Sequence, residues 1–274
     1  MMAQPILTIP FKLRLSGKDA EQHQVASYLG TRTLHGFSRS IQIVTQAYLN
    51  EEAVSRATAL HDANLYLTGA KPGSLTFDFR MDIFRKKVGV TLNRDTFYDF
   101  CSTVFSRASG KSHNPTTPHV LRLDEDQESD LIDLTVEQVE ESLKVAHSAI
   151  DKSVEGIAFN RPRSGTQTYF DHETKQYIES SLKSDLDRKY KGHVTRFNSI
   201  TGNGRAYINS LKRVVPFKLE EEFLESKRGF LTWSLHGSNV HCAKNLNMNA
   251  LEITSAAGTV KRLALVDCNQ VGDD

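Results

Sequence analysis

The feature that most constrains this chain is a change of hydrophobic period at Gly192. Before it, apolar residues recur at mixed strand and helix spacings. After it, they come in short period-two segments at close intervals: Val194/Arg196, Ala206/Ile208, Val214/Phe217, Phe230–Leu235, Leu251/Ile253 and Leu263–Val266. Such a series is the signature of a small barrel. The opening stretch, Gly192 to Tyr207, reads GHVTRFNSITGNGRAY. Val194 and Phe197 are candidates for barrel packing, and Gly202 and Gly204 give permissive backbone around a tight hairpin. A barrel over residues 191–269 is expected, with a frayed tail from Gln270.

Residues 1–190 read differently. Ile6–Leu15 ends in alternation, with Phe11, Leu13 and Leu15 on one face and Lys12 and Arg14 on the other. His23 to about Asn50 is helical in period, although Gly30 and Gly36 argue against one unbroken helix. A strand at Asn64–Thr68, a turn at Lys71-Pro72-Gly73-Ser74 and an alternating strand at Leu75–Phe84 follow. Asp95–Phe105 is helical, Ser106–His119 a loop. Thr135 to Gln138 has the form of a capping box at a helix start. Asp171 caps a helix expected to run to about Asp187. The fold class is therefore α+β, a strand-helix-hairpin domain with added helices over 1–190, followed by the barrel. A sub-boundary falls near 110–130.

Composition sets limits rather than directions. The 274 residues carry 34 basic and 33 acidic side chains, a net charge of +1. No global field favours nucleic acid or membrane, so any basic surface is local. Cys101, Cys242 and Cys268 form no CxxC motif, which speaks against a zinc ribbon and fits a reducing cytoplasm. The N-terminus lacks the pattern of a signal peptide or a membrane span.

The barrel opening, on Gly192, Val194, Phe197, Asn198, Gly202 and Gly204, resembles the first hairpin of the cold-shock family. That resemblance implies an OB-type barrel that holds single-stranded nucleic acid on aromatic side chains of its outer face. The stacking positions here carry Arg196, Asn203 and Arg205. Arginine stacks on bases and pairs with phosphates. The candidate nucleic-acid-binding residues are thus Arg196, Asn203, Arg205 and Tyr207, with phosphate contacts from Lys212 and Arg213. His193, Lys189 and Lys191 add to this basic face, and Glu220-Glu221-Glu222 opposes it. The alternative is a barrel used for structure or protein contact.

Arg56 and His61 satisfy R-x4-H, which resembles the catalytic motif of HEPN-family ribonucleases. It implies metal-independent RNA cleavage, with histidine as acid or base and arginine steadying the transition state. A second R-x4-H, Arg188 to His193, shows how readily the spacing arises. His236 to Cys242 reads HGSNVHC and lacks a further ligand, so neither a metal nor a cofactor is assigned. Tyr28 to Arg39, with Lys71 to Ser74, is similar to uncharacterised bacterial proteins having an N-terminal α+β part and a C-terminal barrel. Phage defence is the setting that analogy suggests. The expected function is a non-enzymatic cytoplasmic binding protein. Its barrel contacts single-stranded nucleic acid or a protein partner, and its N-terminal domain assembles with itself or another subunit. The alternatives are the ribonuclease using Arg56 and His61, and a structural or adaptor subunit.

Overall fold

A computed structural model describes residues 4–53, 62–71, 75–125, 130–179, 181–240, 244–255 and 258–271. Arg56, His61, Pro72 to Ser74, His241 and Cys242 lie outside these. The chain divides into two units. One runs up to Asp124 and takes in Leu131–Ile178. The other joins Glu125–Asp130 to everything from Glu179 onward.

The first unit comprises β1 (Leu7–Ser16), α1 (Ser27–Asn50), β2 (Ala63–Lys71), β3 (Thr76–Ile83), α2 (Arg94–Ala108), then α3 (Pro118–Glu125) and α4 (Leu131–Ala146), and finally β4 (Gly156–Arg161), β5 (Gly165–Phe170) and α5 (His172–Glu179). Its sheet has the order β2-β3-β1-β4-β5 and is antiparallel throughout. The alternation in β1 sets the layering. Ile9, Phe11, Leu13 and Leu15 are buried, while Lys12 pairs with Asp78 of β3 on the opposite face. Phe37 of α1 meets the rings of Phe11, Phe79 and Phe159 from three strands, and Phe105 of α2 meets Phe37 and Phe159. The helices therefore close the apolar face of the sheet with an aromatic cluster.

Several expectations need correction. α1 passes through Gly30 and Gly36 without a break. A Cβ on Gly36 would stand 2.3 Å from the Ala146 backbone nitrogen, so this glycine lets α1 and α4 touch. Thr135 is not a cap. It lies inside α4 and its hydroxyl donates to the Leu131 carbonyl at 2.6 Å. Asp171 does cap α5, accepting from the Thr174 amide at 3.0 Å. That helix ends at Glu179, however, because Leu182 and Lys183 pair as strand residues with Thr254 and Ile253 of the second unit. Tertiary pairing overrides the local pattern there.

The second unit holds β6 (Leu182–Phe197), β7 (Asn203–Ile208), β8 (Arg213–Leu219), α6 (Arg228–Asn239), β9 (Leu246–Thr254) and β10 (Val260–Gln270). β6 begins ahead of the boundary expected near Lys191. The strands close in the order β10-β8-β7-β6-β9. β8 and β10 run parallel and the other neighbours antiparallel. This is the OB-like barrel, with a helix between its third and fourth strands. That helix covers Phe230–Leu235, expected as a strand. Leu231, Ser234 and Leu235 are its buried stripe, and a short apolar run does not by itself separate the two periods. Among the described residues, no helix is long and apolar enough to cross a membrane.

Candidate nucleic-acid interface

The outer face of the barrel is set by β7. Gly204, Ala206 and Ile208 are buried, and Asn203, Arg205 and Tyr207 alternate with them on the outside. Register then fixes their neighbours. Tyr207 stands between His193 of β6 and Val214 of β8, Arg205 between Arg196 and Pro216, and Asn203 opposite Lys218. Gly204 makes the hairpin close enough. A Cβ there would lie 2.3 Å from the Phe217 ring and 2.6 Å from the Arg196 carbonyl oxygen. Its absence lets Phe217 stack on Phe197 inside, at 6.1 Å between ring centroids.

On the outside, His193 and Tyr207 form a second stack, with centroids 5.4 Å apart and planes 24° from parallel. Burial holds the His193 imidazole below its usual pKa of 6.5, so the neutral ring lies on the tyrosine at pH 7. Val214 beside them is 43% exposed. Lys212 is exposed in the β7–β8 turn at a φ of 52°. Arg213, at the start of β8, donates to the Val260 carbonyl. The face thus presents a planar pair and an apolar side chain at one end, Arg205 in the middle, and Asn203 with exposed Lys218 at the other.

Arg196 departs from expectation. A β-bulge lies between Val194 and Arg196, so two residues of β6 oppose Arg205 alone. Val194 and Phe197 both belong to the barrel core, which leaves Thr195 and Arg196 together on the outer side. Yet the Arg196 side chain is only 4% exposed. Its guanidinium sits 3.3 Å from the Asp130 carboxylate, itself 2% exposed. Asp130 also accepts from the Thr201 hydroxyl at 2.6 Å. Arg196 is therefore a buried ion-pair partner and not an exposed stacking residue. The carboxylate that covers it is distant in sequence.

Asn203, Arg205 and Tyr207 are brought together, with Lys212 and Arg213 at the adjoining turn. His193 and Lys218 belong with them. From local charge alone His193 counts only as part of a basic face, and Lys218 does not stand out. Period-two alternation across the hairpin, aligned on Gly192 and Gly204, is the signal that places both.

A family model for a domain of unknown function, DUF7946, matches residues 11–179, more than half of the chain. The chain belongs to this family. Among curated proteins and among solved structures nothing matches. The DUF7946 match ends at the last residue of α5, ahead of β6.

Three buried polar side chains of the first unit, Asp99, His147 and Lys175, are held by groups of that unit. Asp99 of α2 accepts from the backbone amides of Thr116 and Thr117 and from the Thr117 hydroxyl, at 2.7–3.1 Å. Burial pushes its pKa up, but these bonds and His113 outweigh it and bring the carboxyl down to about 2. His147 lies between the Leu143 carbonyl and the Thr174 hydroxyl. Burial there drops its pKa to about 4. Lys175 donates to the Ile150 carbonyl at 2.7 Å and pairs with Asp151. These contacts anchor loops and helix ends. Among the described residues, no group of three or more His, Cys, Asp or Glu side chains could hold a metal ion.

Proposed function

We propose that the C-terminal barrel binds single-stranded nucleic acid on the outer face of β7 and β8. The observation that carries this reading is the His193–Tyr207 stack beside Arg205. A flat, half-exposed ring pair offers a surface to an unpaired base, and stacking of that kind tolerates any sequence. Arg205, Lys212 and Lys218 supply cations for the phosphates. The face of the second and third strands is where OB-type barrels take oligonucleotides. Tyr207 thus serves as the base platform, His193 fixes its plane, and Asn203 offers hydrogen bonds to a base edge.

The test is fluorescence anisotropy with labelled oligothymidylate and oligouridylate at several salt concentrations. The affinity is expected to fall log-linearly with salt, with a slope of about −0.7 per phosphate contacted. Tyr207→Ala and Arg205→Glu should each weaken binding. Absence of binding by the folded protein at low salt would remove this reading and leave a protein partner as the barrel's ligand.

A further inference from the structure

We propose, building on the nucleic-acid reading above, that Arg196 and Thr201 form a phosphate site on the barrel that Asp130 occupies from within the chain. Three observations combine. The bulge in β6 sends Arg196 out on the same side as Arg205, next to the ring platform. The carboxylate that meets it comes from none of the barrel strands. It comes from Glu125–Asp130, which groups with the barrel although it lies inside the DUF7946 match. The donors that hold this carboxylate are a guanidinium at 3.3 Å and a hydroxyl at 2.6 Å, the pair of donor types that a phosphate oxygen takes from a protein.

The surroundings are preformed for an anion. The turn carrying Thr201 is fixed by Asn198, whose side-chain oxygen accepts from the amides of Ile200 and Thr201 at 2.9 and 3.1 Å. The Gly202 amide donates to the Asn198 carbonyl at 2.9 Å. The Thr201 hydroxyl is therefore held in place by the hairpin turn, and Asp130 bridges it to the Arg196 guanidinium. A strand tracking along β7 and Asp130 compete for the same two donors. The family segment thereby limits how tightly the barrel holds nucleic acid.

The experiment compares full-length wild-type protein with Asp130→Asn and with Asp130→Asn/Arg196→Gln, using labelled oligothymidylate across a salt series. Asp130→Asn should bind about tenfold more tightly, the worth of one charge-assisted contact. Its salt slope should steepen by about 0.7, and the double variant should lose both gains. Unchanged or weaker binding by a folded Asp130→Asn protein, with the wild type still binding, overturns this proposal alone. If neither protein binds, the nucleic-acid reading fails and this one with it. Should Asp130→Asn not fold, the wild type decides. The Arg196 Nε–Hε resonance should shift with the same midpoint as the anisotropy, and a resonance that stays fixed at saturating oligonucleotide would sink the idea.

Discussion

The phenylalanine cluster of the first unit and the ring pair on the barrel's outer face are placed in opposite ways. In the DUF7946 region, Phe11, Phe37, Phe79, Phe105 and Phe159 meet one another between sheet and helices, and all are buried. In the barrel, Phe197 and Phe217 stack within the core, while Tyr207 and His193 stack outside it. The same chemistry has different consequences. A ring sealed among other rings contributes to stability through burial and close packing. A ring left half-exposed contributes little to folding and remains available to a ligand. Asp99, His147 and Lys175 are buried with partners in their own unit, and the outer barrel face carries exposed Lys212 and Lys218 beside its ring pair.

The sharpest way to break this contrast is to remove one ring from each side. Phe159→Ala empties the centre of the cluster and should cost about 3–5 kcal/mol in chemical denaturation. A loss below about 1 kcal/mol would mean the cluster does not hold the sheet to its helices. Gly36→Val comes next. Its side chain must enter the backbone contact between α1 and α4, and about 3 kcal/mol should be lost.

Asp99 gives the contrast a pH dependence. Its folded pKa, about 2, lies below the usual carboxyl value of 3.8, so it stabilises the fold above pH 4. That contribution, about 2 kcal/mol, is lost as pH falls from 4 toward 2. Denaturation midpoints measured across that range should fall more steeply for wild type than for Asp99→Asn. Equal slopes would assign the acid sensitivity to other groups.

On the barrel the order of effects reverses. Tyr207→Ala should leave stability within about 1 kcal/mol of wild type, yet weaken oligonucleotide binding by about 1–3 kcal/mol. His193→Ala should weaken it less, because the tyrosine platform remains. The smallest change is expected from Lys212→Gly, which relieves a positive φ. Stability should rise by less than about 1 kcal/mol and the salt slope should flatten by about 0.7.

These contrasts also explain what the amino-acid order reveals. β1 and β3 are legible because one face is buried and the other solvated, so period-two alternation appears directly. The barrel hairpin is legible for the same reason, and Asn203, Arg205 and Tyr207 follow from it. The β4–β5 hairpin is not. Gly156, Ile157, Ala158 and Phe159 are all buried, which erases the alternation, and only the turn at Arg161–Gly165 shows. Within α6, Phe230–Leu235 has the look of a strand because its aromatic and aliphatic run is short. The burial of Arg196 is hidden in the sequence for two reasons. A bulge adds one residue to β6 and shifts the count of faces, and its covering carboxylate comes from a part of the chain that local patterns do not reach.

The most direct measurement is photocrosslinking of 4-thiouridine oligonucleotides to the full-length protein, followed by mass spectrometry of the crosslinked peptides. Crosslinks concentrated at His193 and Tyr207, and lost on Tyr207→Ala, are the expected result. Crosslinks confined to the DUF7946 residues, or spread without preference over both units, would contradict a base platform on the barrel's outer face.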